Sequence, residues 1–141
     1  MEEKVKPDQV LVIHECVRGA HTGEMTFPQI VGKLAQIGVE RYHADYTRRE
    51  KTHYFVGGAS VVAAMPQEGQ TIGEGFSAEA VEAAVRQSQR GEHTYADFVK
   101  KTMAAGCVGY FVQITGRRAL YFGRRGEIHE ERFPSAPPSE K

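Results

Sequence analysis

Tryptophan is absent from this chain of 141 residues, cysteine occurs twice, and its 18 lysines and arginines are cancelled by 18 aspartates and glutamates. Each shortage excludes something. At zero formal net charge the whole-molecule attraction toward nucleic acid or anionic membrane is missing, so nucleic acid is disfavoured as a partner and only a local patch could recruit it. Two cysteines cannot staple a disulfide-rich miniature fold. With no secretory leader in front of them they suit a reducing compartment, and the expected location is cytoplasmic. The longest apolar runs, Val10-Leu11-Val12-Ile13 and the stretch from Ala59 to Met65 interrupted by Ser60, fall far short of the ~20 residues of a spanning helix, so no membrane is expected. Nucleotide and hydrolase signatures are missing as well: no Walker loop, no Gly-x-Gly-x-x-Gly after a strand, no Gly-x-Ser-x-Gly elbow and no His-Glu-x-x-His pair. No cofactor and no metal are expected, and the balance is against an enzyme.

What the chain does contain is ordinary globular material, 40% hydrophobic and 26% charged, arranged in a repeat. Sliding the sequence against itself by 68 positions lays residues 7–66 over residues 75–134 without a gap. Thirteen pairs are identical, among them Val17/Val85, Arg18/Arg86, Gly23/Gly91, Thr26/Thr94, Gly38/Gly106, Tyr42/Tyr110, Arg49/Arg117 and Pro66/Pro134, where about three or four would match by chance. The chain therefore reads as a single domain built from two repeats, 7–66 and 75–134, with a linker over 67–74 and a loose tail over 135–141.

Each copy carries the same punctuation. Val10, Ile13 and Val17, and then Val81, Ala84 and Val85, recur at helical spacing, which predicts helices over residues 8–20 and 77–88. Thr26 followed by Gln29 is a capping box, and Thr94 stands at the same place in the second copy, so a second helix should begin after each. Those helices should end at Gly38 and Gly106, where a left-handed residue is expected. The pattern then changes to alternation. Tyr42, Ala44 and Tyr46 overlie Tyr110, Val112 and Ile114, which predicts a first strand with its even positions facing the core. Polar turns at 47–51 and 115–118 lead to second strands at 52–56 and 119–123, and third strands end at Met65 and Phe133. The fold class is α+β: a tandem, pseudo-twofold repeat of helix, helix and three-stranded antiparallel meander, with sheet packed on helices. A unit of about 60 residues has a marginal core, so the copies should share one, as a continuous six-stranded sheet or as two sheets packed through their helices.

Cys16 overlies Ala84 and Cys107 overlies Val39, a pattern of packing thiols rather than nucleophiles. Two sets of residues are candidates for a site. By simple alternation Arg41, His43, Asp45, His53 and Phe55 should project to one side of the first hairpin, opposite Phe111 and Tyr121 of the second. His43 and His53 could then exchange protons with Asp45 orienting them, or the three could hold a divalent metal. An ordinary solvated sheet face explains the same residues. Arg48 and Arg49 in one turn and Arg117 and Arg118 in its repeat could clasp phosphate or carboxylate bidentately, or simply protect hairpin tips from aggregation.

The stretches Gly38-Val-Glu-Arg-Tyr-His-Ala-Asp45, Thr94-Tyr-Ala-Asp-Phe98, Ala105-Gly-Cys-Val-Gly-Tyr110 and Tyr121-Phe-Gly-Arg-Arg-Gly-Glu-Ile-His129 resemble the bacterial family catalogued as domain of unknown function 1398, some of whose members carry the label "phage envelope protein". The resemblance implies a prophage-linked accessory gene and assigns no activity or site. The leading expectation is a small binding or accessory protein for a small molecule or another protein, with a homodimer among its forms. Behind it stand a small enzyme or metal protein using His43, Asp45 and His53, and a phosphoanion or nucleic-acid binder using the arginine turns.

Overall fold

A computed structural model describes residues 4–66 and 71–133; the proposed tail at 135–141 and the linker positions 67–70 lie outside the described residues. The element order is α1 (Pro7–Thr22), α2 (Phe27–Gln36), β1 (Val39–Asp45), β2 (Glu50–Phe55), β3 (Ser60–Ala64), and then again α3 (Ala78–Gln89), α4 (Tyr95–Ala104), β4 (Cys107–Gln113), β5 (Arg118–Gly123) and β6 (Ile128–Arg132). This is the expected α+β pattern of two helices and three strands, written twice.

Local chemistry starts the helices where it was read. The Thr26 hydroxyl accepts from the Gln29 amide at 3.3 Å while the Gln29 side chain accepts from the Thr26 amide at 2.9 Å, so two of the orphan donors at the start of α2 are satisfied reciprocally. Thr94 and Asp97 repeat the arrangement at α4. Ser77 caps α3 by accepting from the Ala80 amide. Gly38 and Gly106 fall one residue beyond the caps Ile37 and Ala105, at φ 95° and 88°.

The six strands form one antiparallel sheet in the order β3-β2-β1-β4-β5-β6. Of the two arrangements open to a pair of meanders, the molecule adopts the continuous one. The repeats join along β1 and β4, where His43 lies opposite Phe111. These two positions are repeat-equivalent, so the pseudo-twofold passes through that pair. The seam is extended at both ends by the same bond made twice: the Tyr46 amide donates to the Val108 carbonyl at 3.1 Å, and the Ile114 amide to the Glu40 carbonyl at 2.9 Å. Matched bulges, between Val39 and Arg41 and between Cys107 and Gly109, add one residue to each strand and keep Val39 and Cys107 on the core side.

The buried faces of all four helices and one face of the sheet make a single core cluster drawn from both repeats. Contacts cross between copies. Thr102 of α4 lies 2.8 Å from the hydroxyl of Tyr46, which follows β1, and Phe27 at the start of α2 packs edge-on against Phe133. Cys16 and Cys107 are buried free thiols. Burial pushes Cys107 up to about 11 and raises Cys16 also, as suits thiols used for packing.

Gly106 is held twice over, by its left-handed φ and by close packing, since a Cβ there would run into the Gly75 carbonyl and the Phe76 Cα. Gly23, at φ 82°, has open space around it. Gly23→Ala should therefore cost about 1 kcal/mol, the conformational term alone, and Gly106→Ala at least about twice that through the added clash. Urea unfolding of the two variants checks the ranking, and equal losses would contradict it.

Candidate functional site

Directly paired residues on neighbouring antiparallel strands share a face. Following the pairings across the sheet away from the helices gives three rows. The first holds Ala64, Glu50, Asp45, Gly109, Phe122 and Ile128; the second Val62, Thr52, His43, Phe111, Leu120 and Glu130; the third Ser60, Tyr54, Arg41, Gln113, Arg118 and Arg132. None of their apolar side chains of leucine size or larger, nor Val62, belongs to the core cluster or packs against it. Val62 is 52% exposed and Ile128 59% exposed. The helices cover one face of the sheet, and among the described residues no helix covers the other.

The middle of that open face is aromatic. His43 stacks on Phe111 across the seam, ring centroids 4.4 Å apart and planes 12° from parallel, and Phe111 meets Phe122 edge-on at 6.0 Å. Arg41 pairs with its neighbour Glu40 and lies 4.3 Å over the Tyr54 ring. Arg118 and Arg132 share Glu130, at 2.9 and 3.4 Å. Charge is segregated along the strands: Asp45 and Glu50 stand at one end of the face, and Arg41, Arg118 and Arg132 at the other.

The expected grouping of His43, Asp45 and His53 does not assemble. Asp45 pairs with Glu50, so even positions of β1 oppose odd positions of β2, and alternation changes parity across the turn. His53 and Phe55 therefore face the helices beside Tyr42 and Val39, while Arg41, His43 and Asp45 face outward. His53 is 1% exposed and stacked on Tyr42, and Asp45 is engaged by the Thr47 and Arg48 amides. Tyr121 is likewise buried, and of the opposing aromatics only Phe111 reaches the open face. No group of three or more potential metal ligands converges among the described residues.

The two arginine turns do not converge either. β1 and β4 run antiparallel, so the turn after β1 and the turn after β4 lie at opposite ends of a seven-residue strand, about 20 Å apart. Arg49 and Arg117 adopt matched left-handed conformations, φ 57° and 55°. Arg48 pairs with Glu50 at 2.7 Å, Arg117 lies 5.5 Å over the Phe133 ring, and Arg118 bridges to β6 as above. Lys51, counted with these turns from sequence, is 5% exposed on the core side, its ammonium 4.2 Å over the Tyr95 ring and 5.6 Å from that of Tyr42. Its repeat partner is Ala119, and that substitution at a core-facing position is the signal that marks it.

Burial and the nearby Lys51 charge lower His53 to about 4. The unfolded chain, with an ordinary imidazole near 6.5, takes up the proton first, so stability is full above that value and falls as pH drops toward 4. The group accounts for about 3 kcal/mol across the window. His21 is lowered for the same reasons and acts in the same direction. In His53→Phe the acid limb of a urea-unfolding profile should be shallower by about that amount; an unchanged slope between pH 6.5 and 4 would contradict the burial of a neutral imidazole.

No curated protein matches the chain. Residues 13–131 match the family described as "Protein of unknown function (DUF1398)", a span that takes in every strand but the last residue of β6 and all but the first turns of α1. On that match the chain belongs to this family.

Proposed function

We propose that this protein is a small interaction module whose docking surface is the open face of the sheet, and that its first partner is a second copy of the same chain. The observation that carries the reading is an uncovered six-stranded face whose middle is apolar and aromatic and whose two ends carry opposite charge. Monomeric proteins seldom leave such a patch bare. Six strands about 4.8 Å apart and five paired residues of about 3.4 Å each give a projected face of roughly 500 Å2, the scale of a small specific interface.

Charge order supports a second copy. A twofold axis lying along the middle row turns the acidic end of one face onto the basic end of the other. Asp45 then meets Arg41 of the second copy, Phe122 meets an Arg118 guanidinium, and Phe111 and Leu120 pack on themselves. Such isologous contact closes as a dimer, in the manner of aligned sheets about 10 Å apart. Free buried thiols support a reducing, cytoplasmic setting, and a prophage-linked bacterial setting is what the family resemblance implies.

The enzyme and metal alternative loses its residues, since His43 and His53 lie on opposite faces. The nucleic-acid alternative would use the same aromatic face as a stacking platform, but Asp45, Glu50 and Glu130 stand on that face and oppose a phosphate backbone.

Light scattering on the full chain at about 100 µM, well above a micromolar dissociation constant, should give a dimer mass. Phe111→Asp with Leu120→Asp should give a monomer with an unchanged far-ultraviolet spectrum. Asp45→Arg should weaken association about tenfold or more, and adding Arg41→Asp should restore it. A monomer at this concentration, or salt-sensitive capture of a single-stranded oligonucleotide on this face, would replace the reading.

A further inference from the structure

A groove of about 460 Å3 runs between α1 and the end of β3. His14, Arg18 and His21 line one wall from successive turns of α1, and Val17 and Pro66 supply apolar surface. The volume suits a small molecule. No acidic residue lines it among the described residues. Among the described residues Arg18 has no ion pair. His21 meets the Tyr95 ring edge-on at 6.0 Å, and the Lys51 ammonium lies 4.2 Å over that ring and 5.6 Å from that of Tyr42. A buried lysine without a carboxylate is rare. His14, Arg18, His21, His53 and Lys51 thus gather at this end of repeat one, where Glu24 is engaged by the Thr22 hydroxyl at 3.0 Å.

Repeat two shows what the same framework does when it carries its own acids. Arg86, the equivalent of Arg18, donates to Glu131 at 3.0 Å and to Glu82 at 3.1 Å. Glu82 stands where repeat one has His14, and Glu131 where repeat one has Ala63. Gln89, the equivalent of His21, accepts from the same guanidinium at 3.3 Å. One arginine is held by two internal carboxylates. The other keeps its position on the helix and has lost both.

We infer that the groove between α1 and β3 binds a small organic carboxylate, whose oxygens take on Arg18 the places that Glu82 and Glu131 take on Arg86. Arg18 offers a planar fork matched to a carboxylate. His14, one turn away, adds a second N–H donor, and the ligand's apolar body rests against Val17 and Pro66. The Lys51 charge lies in a medium of low dielectric beneath the site, where it favours an anion over a neutral ligand. Ligand and docking face are separate, because the α1 wall lies on the helix side of the sheet.

The test is a titration of the isotopically labelled full chain with benzoate, and in parallel with inorganic phosphate, at constant ionic strength and neutral pH. Saturable shifts are expected at His14, Arg18 and His21, with a benzoate dissociation constant of order 1 mM or tighter. Arg18→Ala should weaken binding about tenfold or more. His14→Glu, at an exposed position, gives Arg18 the kind of internal acid that Arg86 has and should weaken binding similarly. Both variants should keep the wild-type spectrum and molecular mass, which separates this site from the proposed dimer. No saturation up to about 50 mM benzoate, shifts that survive both substitutions, or phosphate binding more tightly than benzoate would overturn the proposal.

Discussion

The antiparallel pairing of β1 with β4 is the constraint on which the rest of the molecule depends. It converts two three-stranded meanders, each too small to bury much apolar surface, into one sheet with a single core on one side. Because the pseudo-twofold runs through His43 and Phe111, every element of one repeat has its counterpart at the mirrored place in the other, and all four helices fall on the same face. The bare face follows from the same pairing. A sheet assembled this way has no helices left to cover its second side.

Within that frame the two copies have diverged in chemistry while keeping geometry. His43 and Phe111 occupy equivalent positions and stack on each other. Lys51 and Ala119 are equivalent, and one places a charge in the core where the other places a methyl group. Arg18 and Arg86 are identical, yet only Arg86 is neutralised by the chain itself. Duplicated frameworks allow this kind of reading, because one copy is the reference for what the other lacks. The contrast between a filled and an unfilled arginine site rests on equivalences already present in the sequence offset of 68.

Much of the fold was legible in the residues. Thr26 with Gln29, Ser77, Thr94, Gly38 and Gly106 punctuate the helices through local hydrogen bonds and backbone preferences that need no tertiary context. Tyr42, Ala44 and Tyr46 marked a core face correctly. The site was less legible, for one physical reason: alternation assigns faces within a strand, and the face of the next strand depends on the register of the turn between them. Asp45 pairs with Glu50 through a four-residue turn, which inverted the parity of β2 and moved His53 and Phe55 to the core. Lys51 was hidden by its neighbours, since a lysine after Arg48, Arg49 and Glu50 reads as solvated until the register places it beside Tyr95. The separation of the two arginine turns was implicit in an antiparallel seam, and the sequence pattern did not distinguish that seam from two packed sheets.

Native-state amide hydrogen exchange in increasing urea tests the central claim most directly, because it reads the seam itself. If β1 and β4 fuse the repeats into one cooperative core, the slowest amides of β1, β2, β4 and β5 should converge on a single opening free energy and a single urea dependence equal to those of global unfolding. Two separate sets of isotherms, one for each repeat, with the β1 and β4 amides exchanging before either, would show that the repeats fold independently and would contradict the account.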